Sequence, residues 1–275
     1  MKRVVFSILA VGFLMTTVCK GASVMTMTTS SDKAKIYLAG SGTVTIDWGD
    51  GSEIITATLK EYKRRWFHIK NEYSYNYVDA SSRTITITGE NVTHLGCDGN
   101  KHYGLDVSSL DVGNNPALTF LECNSCQFPC LDVSNNPALT DLECRFCQFT
   151  SLDVSKNTKL SRLICQGCSL TSLDVSNNKA LTGLDCSMNS LRKMDVSNNV
   201  KLTKLSCAEN YFNDDALNSL FMTLNSNTGK KIILIGNIFG EEVSCDESIA
   251  KKNGRTIERV KNKKSQKNSF IPDIV

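Results

Sequence analysis

The chain has 275 residues and a formal net charge of +3, and 41% of its residues are hydrophobic and 21% charged. This length allows one sizeable core or two to three small domains, and the small net charge does not predict a nucleic-acid partner. The sequence contains no H-E-x-x-H motif, no G-x-S-x-G motif and no phosphate-binding glycine loop, so we predict neither an enzyme nor a cofactor.

Residues 1–21 have the pattern of a secretory signal peptide. Lys2 and Arg3 precede an apolar run from Val4 to Val18, which is too short to span a bilayer comfortably, and small residues follow it. Cys19 is an alternative lipid-attachment site, although the valine before it argues against this use. No later stretch is long and apolar enough to predict a transmembrane segment. We therefore expect an extracytoplasmic protein, secreted or at the cell surface.

Residues 22–90 alternate with period two and are rich in Thr, Val and Ile, which predicts a small antiparallel β domain. The turn "IDWGDGS" at 46–52, with "YSYNY" and "TITITG" after it, is similar to the turn and closing strands of PKD-like β-sandwiches. That resemblance implies a small sandwich. The basic and aromatic segment "EYKRRWFHIK" at 61–70 is either an edge strand protected by charge or a contact loop.

Residues 91–212 are a repeat with a period of 21 residues. One half of each unit reads "LDVSNN" or a near copy, and the other half reads L-x-x-L-x-C-x-x-(C/N)-x-(L/F). This pattern resembles a leucine-rich repeat and implies a solenoid. We expect two short parallel strands per rung and an inward asparagine column that hydrogen-bonds turn backbone. These asparagines are Asn115, Asn136, Asn157, Asn178 and Asn199.

The first rung is irregular, because "LDVSS" is followed at once by "LDVGN". This looks like a five-residue insertion, and we expect a bulged loop around Leu105–Ser109.

The cysteines form C-x-x-C pairs whose spacing matches a structural zinc site. They also follow the repeat, in one column of Cys123, Cys144, Cys165, Cys186 and Cys207 and a second of Cys126, Cys147, Cys168, Asn189 and Asn210. Because the first column continues after the second has changed to Asn, we interpret the thiols as interior packing and expect no metal. Zinc binding and disulfides between rungs remain the alternatives.

A column of aspartates occupies outward positions on the "LDVSNN" half. Carboxylates on adjacent rungs lie about 4.8 Å apart and repel one another. We expect hydrogen bonds from the following serines and backbone amides to offset this repulsion, with cation binding as the alternative. The column is Asp111, Asp132, Asp153, Asp174 and Asp195.

Residues 213–260 depart from the repeat and predict an α/β cap on the solenoid. Asp214 or Asp215 is the expected N-cap of a helix that places Leu217, Leu220, Phe221 and Leu224 on one face. A strand at "KKIILIG", a short helix at "ESIAKKNG" and a strand at "TIERV" follow. Residues 261–275 form a basic tail that we expect to be solvated and disordered.

The whole arrangement resembles BspA-like leucine-rich-repeat surface proteins of anaerobic gut bacteria. The resemblance implies a mainly β fold, in which a 21-residue-repeat solenoid follows a small β-sandwich and ends in an α/β cap. It also implies adhesion or protein binding.

Outward positions on the cysteine-bearing strands vary between rungs, as expected of a recognition surface. We predict a monomeric, non-catalytic protein that binds a protein or glycan there. The alternatives are an envelope-associated protein that docks through its basic tail and a metal or redox protein that uses the C-x-x-C pairs. The predicted contact residues are Phe120, Glu122, Asp141, Glu143, Arg145, Phe146, Arg162, Ile164, Asp185 and Met188.

Overall fold

The structure is a computed structural model that describes residues 22–61, 71–97, 106–224, 232–235, 245–252, 254 and 256–259. The signal-peptide, lipid-site and basic-tail predictions lie outside these residues, as does most of the segment 61–70. The elements in chain order are β1 (Ser23–Thr29), β2 (Lys33–Asp47), β3 (Ile55–Thr58), β4 (Glu72–Asn76), β5 (Arg83–Gly96), β6 (Val107–Asn114), β7 (Phe120–Glu122), β8 (Asp141–Glu143), β9 (Arg162–Ile164), β10 (Gly183–Asp185), β11 (Lys204–Ser206), α1 (Asp214–Thr223), β12 (Ile232–Ile235), α2 (Glu247–Lys252) and β13 (Thr256–Arg259).

The N-terminal strands pair antiparallel, as the period-two pattern predicted. Strand β5 lies between β1 and β2, β6 flanks β1, and β3 and β4 pair with β2. Strand β2 is 15 residues long, and its pairing with β5 shifts register at Gly40. Gly40 has φ +150°, and a Cβ there would lie 2.0 Å from the Asn91 carbonyl oxygen, so only glycine fits this bend. The PKD-like sandwich itself stays a prediction.

The repeats form a row of parallel strands. The end of β5 pairs with β7, and β8 to β13 follow in order. Each rung places one leucine directly beside the next inside the coil, where all five are buried. This row is Leu121, Leu142, Leu163, Leu184 and Leu205. The described residues therefore form a mainly β solenoid with few helices, consistent with the leucine-rich-repeat pattern of the sequence.

The prediction of a second strand in each rung is wrong for the rungs after the first. Residues 131–133 alternate buried and exposed as expected, but they form no strand. The Val133 carbonyl accepts from the Asn136 amide N at 3.0 Å and from Asn157 Nδ2 at 2.9 Å. Because the turn and the next rung's asparagine use this carbonyl, it is not left for a neighbouring strand.

The predicted asparagine ladder is confirmed. Asn136 Nδ2 donates to the carbonyls of Val112 at 2.9 Å and Asn115 at 2.7 Å, and the next three rungs repeat the pair of bonds. The first asparagine has no earlier rung. Asn115 instead donates to Val92 O at 2.9 Å and to Met25 Sδ at 3.2 Å, so β5 and β1 supply the missing acceptors.

Within the predicted bulged loop at Leu105–Ser109, residues 107–109 belong to a strand, so the loop is wrong there, although the pairing shifts register between Val107 and Ser109. Strand β6 pairs antiparallel with β1, with Leu110 opposite Met27. The insertion lengthens the first rung enough to use the free edge that β1 offers. Strand β5 also crosses the predicted boundary at residue 90, since its first half pairs with β1 and its last three residues pair with β7. The domain boundaries stay predictions.

The elements after the repeats have the predicted types and order, but the N-cap of α1 is not an aspartate. Asn213 is extended, with φ −87° and ψ 176°, and its Oδ1 accepts from the Ala216 amide N at 2.8 Å. Asp214 and Asp215 lie inside the first turn, where their charge favours the helix dipole. Strands β12 and β13 extend the parallel row beyond β11. Within the described residues, no helix combines the length and the apolarity needed to cross a bilayer.

Candidate binding face on the solenoid strands

The outward side chains of β7 to β11 form two rows, which we call the strand face. The first row is Phe120, Asp141, Arg162, Gly183 and Lys204, and the second row is Glu122, Glu143, Ile164, Asp185 and Ser206. The interior leucine between the rows is the same on every rung, whereas the outward residues differ. The scaffold is thus held constant beneath a surface that changes from strand to strand.

An ion-pair cluster orders the middle of the strand face. Glu143 Oε2 lies 2.8 Å from Arg162 Nη1, and Glu143 Oε1 lies 3.1 Å from Arg145 Nη2. Only 9% of Glu143 is exposed, because the two guanidinium groups cover it. Glu143 is thus covered rather than projecting, and its carboxylate holds both arginines in place. Its role in ligand contact stays a prediction.

Ile164 was also predicted to be exposed, and only 5% of it is. It stands in the second row between Glu143 and Asp185 on strands about 4.8 Å away, whose side chains pack beside it. Ile164 is therefore part of the buried base of the strand face and does not project from it.

A column of residues with left-handed backbone ends the strand face. Each rung adopts this conformation three residues after its strand ends, at Ser125, Phe146, Gly167, Met188 and Glu209, whose φ values are 57°, 55°, 71°, 56° and 55°. Glycine meets this requirement without steric cost, whereas bulky side chains do not. Phe146 and Met188 are nevertheless large, and they are 49% and 37% exposed.

Phe146 is held in position by the next rung. A Cβ at Gly167 would lie 2.5 Å from Phe146 Cδ1, so the phenyl ring lies directly over the glycine backbone. Gln166, on the same rung as Gly167, places its Nε2 3.4 Å from Met188 Sδ on the following rung. Phe146 and Met188 thus form an apolar ridge along the edge of the strand face.

A groove opens in the strand face where Gly183 has no side chain, and we call it the Gly183 notch. A Cβ at this glycine would meet no atom within 4 Å, and the groove, which is open to solvent, has about 610 Å³ of empty space. Four predicted contact residues line it, together with residues that the prediction did not include. The lining is Asp141, Ser161, Arg162, Ile164, Thr182, Gly183, Leu184, Asp185, Thr203 and Lys204.

Lys204 is the main omission from the predicted site. It occupies the first row on β11, in register with Gly183. Its position follows from the same 21-residue period, since "LTKLSC" repeats "LTGLDC". Extending the outward positions to the fifth copy of the repeat would therefore have found it.

The N-terminal end of the strand face is aromatic. The Phe120 and His94 rings stack with centroids 5.6 Å apart, and Thr93 Oγ1 lies 2.8 Å from His94 Nδ1. Burial lowers the pKa of His94, although the Asp141 carboxylate opposes this effect. His94 is therefore mainly neutral at pH 7.

The cysteines line up along the solenoid. In the second column Cys147 Sγ lies 3.0 Å from the Cys123 carbonyl and Cys168 Sγ lies 2.8 Å from the Cys144 carbonyl. Asn189 Nδ2 makes the equivalent bond to the Cys165 carbonyl at 2.9 Å. In this second column, a thiol S–H therefore takes the place of the side-chain amide N–H.

Burial raises the pKa of three first-column thiols, Cys165, Cys186 and Cys207, and so keeps them protonated. It raises the pKa of Cys186 well above its ordinary value and that of Cys207 to about 12. No disulfide joins any of the described cysteines, and the described residues hold no group of three or more His, Cys, Asp or Glu placed for a metal ion.

The aspartate column makes the local hydrogen bonds that the sequence predicted. Asp132 Oδ1 accepts from the Ser134 amide N at 2.9 Å, and Asp153 and Asp174 accept from Ser155 and Ser176 in the same way. Hydrogen bonds from these serines lower the pKa of all three carboxyls. The alternative of cation binding along the column stays a prediction.

The structure brings most of the predicted contact residues onto one surface. Phe120, Glu122, Asp141, Arg162 and Asp185 occupy the two rows, Arg145 lies beside them, and Phe146 and Met188 form the ridge. Their role in ligand binding stays a prediction.

No known family profile matches the chain, and no curated protein matches it. It is similar to the functional domain of InlJ from Listeria monocytogenes, a structure described as including a cysteine ladder. That match has 32% identity and a TM-score of 0.48, and covers 57% of this chain and 32% of the chain in that structure. An internalin, InlF, from the same species matches with 18% identity and a TM-score of 0.40, over 60% of this chain and 55% of that one. The chain thus spans about a third and about half of these two structures.

Proposed function

We propose that the protein is a monomeric, non-catalytic, extracytoplasmic binding protein whose strand face and apolar ridge contact a partner protein. The observation that carries the proposal is the apolar ridge. Phe146 and Met188 occupy left-handed positions, are exposed, and lie at the edge of the strand face, which also contains the Gly183 notch.

The ridge is costly to the fold. A non-glycine residue held in the left-handed region costs about 1–3 kcal/mol, and exposed apolar side chains recover little of that cost through burial. Gly167 fills the same position between them without strain. Ser125 and Glu209 share the strained backbone, so what distinguishes Phe146 and Met188 is that their side chains are large, apolar and exposed. Aromatic anchors of this type dominate protein–protein interfaces.

Two further features support the proposal. The outward residues vary over a constant leucine row, as a recognition surface requires. The sequence also resembles BspA-like surface proteins with an N-terminal PKD-like domain, and it begins with a predicted signal peptide, which together favour a surface or secreted binding role.

The test is to replace the ridge and measure binding and stability together. The full chain and its Phe146→Gly/Met188→Gly variant are screened, under reducing conditions, against a displayed panel of extracellular proteins. We expect the double variant to lose at least about tenfold in affinity for any partner of the wild-type chain. Its melting temperature should stay the same or rise, because glycine removes the backbone strain.

Ser125→Gly is the matched control, because Ser125 has the same left-handed conformation but no apolar side chain. It should bind as the wild-type chain does. Equal binding by the double variant and the wild-type chain would reject the ridge as a contact. A melting temperature that falls together with binding would instead make the ridge part of the fold.

A further inference from the structure

We infer that Cys126 and Cys147 are a site of reversible oxidation, at which a disulfide forms between two rungs directly beneath the apolar ridge. Each of these cysteines follows a residue with left-handed backbone, Ser125 or Phe146. Oxidation of the pair therefore acts on the ridge from its buried side. The inference rests on the proposed function only where it concerns the ridge, because the chemistry belongs to the thiols themselves.

The second-column thiols contact one another across the rungs. The side chains of Cys123, Cys126 and Cys168 hydrogen-bond the Cys147 sulfur. The strongest such bond of Cys126 is with Cys147, whereas that of Cys168 is with Cys144. Within the second column, Cys126 and Cys147 are therefore the preferred pair.

Backbone hydrogen bonds hold the two rungs at a distance that a disulfide can span. The Ser125 amide N donates to the Arg145 carbonyl at 2.6 Å, and the Phe146 amide N donates to the Gln166 carbonyl at 2.8 Å. Rungs bonded in this way lie about 4.8 Å apart, and a disulfide needs Cα atoms about 4.4–6.8 Å apart. Because stacked rungs direct their Cβ atoms side by side, the bond is strained and stays easy to reduce.

The two cysteine columns differ in how readily they react. Burial raises the pKa of the first-column thiols Cys165 and Cys186, which suppresses the reactive thiolate. The neighbouring thiols that donate to the Cys147 sulfur lower its pKa instead. Cys147 is also 3% exposed, whereas Cys126 and Cys168 are fully buried. A local opening of the ridge segment therefore presents Cys147 first to an oxidant.

The oxidant is a hydroperoxide such as hydrogen peroxide. The Cys147 thiolate attacks one peroxide oxygen, the O–O bond breaks and hydroxide leaves with its electron pair, so that Cys147 becomes a sulfenic acid. The Cys126 sulfur then attacks the Cys147 sulfur, forms the S–S bond and expels the second oxygen as hydroxide, and the two thiol protons complete two water molecules. Two molecules of a small thiol reverse the change and are themselves oxidised to a disulfide.

The disulfide loosens the ridge segment because both sulfurs lose a hydrogen bond. In the reduced protein Cys147 Sγ donates to the Cys123 carbonyl at 3.0 Å, and Cys126 Sγ donates to the Cys97 carbonyl at 3.5 Å. Neither sulfur carries a proton after oxidation, so two buried carbonyls lose a donor. The backbone that carries Phe146 is then less well held.

The direct test is to oxidise the reduced full chain with hydrogen peroxide, block the remaining thiols with iodoacetamide, and map the products by tandem mass spectrometry. We expect a Cys126–Cys147 linkage that forms at least about tenfold faster than any product at Cys165 or Cys186, and that dithiothreitol removes. Hydrogen exchange at the Phe146 amide should rise about tenfold as the linkage forms. Linkage of other cysteines, irreversible oxidation of Cys147, unchanged exchange at Phe146, or no reaction in the folded chain overturns the inference.

Asn189 supplies a variant that keeps the ladder. It occupies the second column one rung after Cys168 and makes the same bond through its amide. Cys147→Asn should therefore fold and form no linkage with Cys126. Cys168→Asn is the matched control, and it should form the linkage within about twofold of the wild-type rate, as should Cys130→Ser, which removes an exposed thiol. Equal loss of the linkage in Cys147→Asn and in either control overturns the assignment of the pair.

The outcomes separate this inference from the proposed function. If the linkage forms and the ridge variant binds as well as the wild-type chain, only the proposed contact through the ridge fails. If the ridge variant loses binding and no linkage forms, only the oxidation site fails.

Discussion

The turn side and the strand face of the solenoid are built by opposite rules. On the turn side each rung repeats the same residues, with an inward asparagine bonded to the previous rung and an aspartate that accepts from a serine amide. On the strand face adjacent rungs carry Arg162, Gly183 and Lys204 at the same position. Repetition therefore marks the residues that hold the rungs together, and variation marks the surface that is available for recognition.

The largest expected effect lies on the turn side, where two adjacent asparagines differ in role. Asn178 is buried and donates to the Val154 and Asn157 carbonyls at 2.9 Å each, whereas its neighbour Asn177 is exposed. Asn178→Ala should lower the free energy of unfolding by about 2–3 kcal/mol, because it leaves buried carbonyls without these donors. Urea denaturation under reducing conditions measures the change. Asn177→Ala is the control, and equal losses in both variants would contradict the ladder's role.

A smaller effect is expected at the one charged group on the strand face that is buried between cations. Glu143→Gln removes the charge that holds Arg145 and Arg162, and should cost about 1–2 kcal/mol of unfolding free energy. Glu122→Gln, in the same row on β7, is the matched control and should cost under about 0.5 kcal/mol. Denaturation curves for both variants decide this. If Glu122→Gln lowers the unfolding free energy as much as Glu143→Gln does, the ion pairs of Glu143 with Arg145 and Arg162 do not stabilise the fold.

The smallest effect concerns acid stability on the turn side. The folded-state pKa values of Asp132, Asp153 and Asp174 are lowered, so their stabilisation is present above the ordinary aspartate pKa and is lost as pH falls through the lowered values. The three carboxyls are exposed, so the total is modest. A triple Asp→Asn variant should show a flatter fall in melting temperature between pH 4 and 2. Parallel curves would mean that these hydrogen bonds do not contribute.

The repeat period made most of the solenoid predictable. Interior positions of Leu121 and Cys123, the asparagine ladder and the aspartate hydrogen bonds all follow from residues that recur at one spacing, because a stacked coil must place recurring residues in columns. The helix of the C-terminal unit was also predictable from its apolar face. Its N-cap was not, because Asn213, Asp214 and Asp215 are all good capping residues and only the backbone conformation distinguishes them.

The features that the sequence did not predict depend on contacts between distant segments. The pairing of β6 with β1 depends on an open strand edge more than eighty positions earlier in the chain. The burial of Glu143 depends on two arginines that reach it from different rungs. The notch at Gly183 is visible only when its neighbours in register, Arg162 and Lys204, are known to stand on both sides.

Strand β5 has a consequence for how the molecule can be divided. Its first residues complete the antiparallel sheet with β1, and its last three start the parallel row with β7. A truncation at residue 90 would split one hydrogen-bonded strand and would also remove Met25, whose sulfur accepts from the first ladder asparagine. The smallest fragment expected to fold therefore begins near Ser23, because strand β5 belongs both to the antiparallel sheet and to the parallel row.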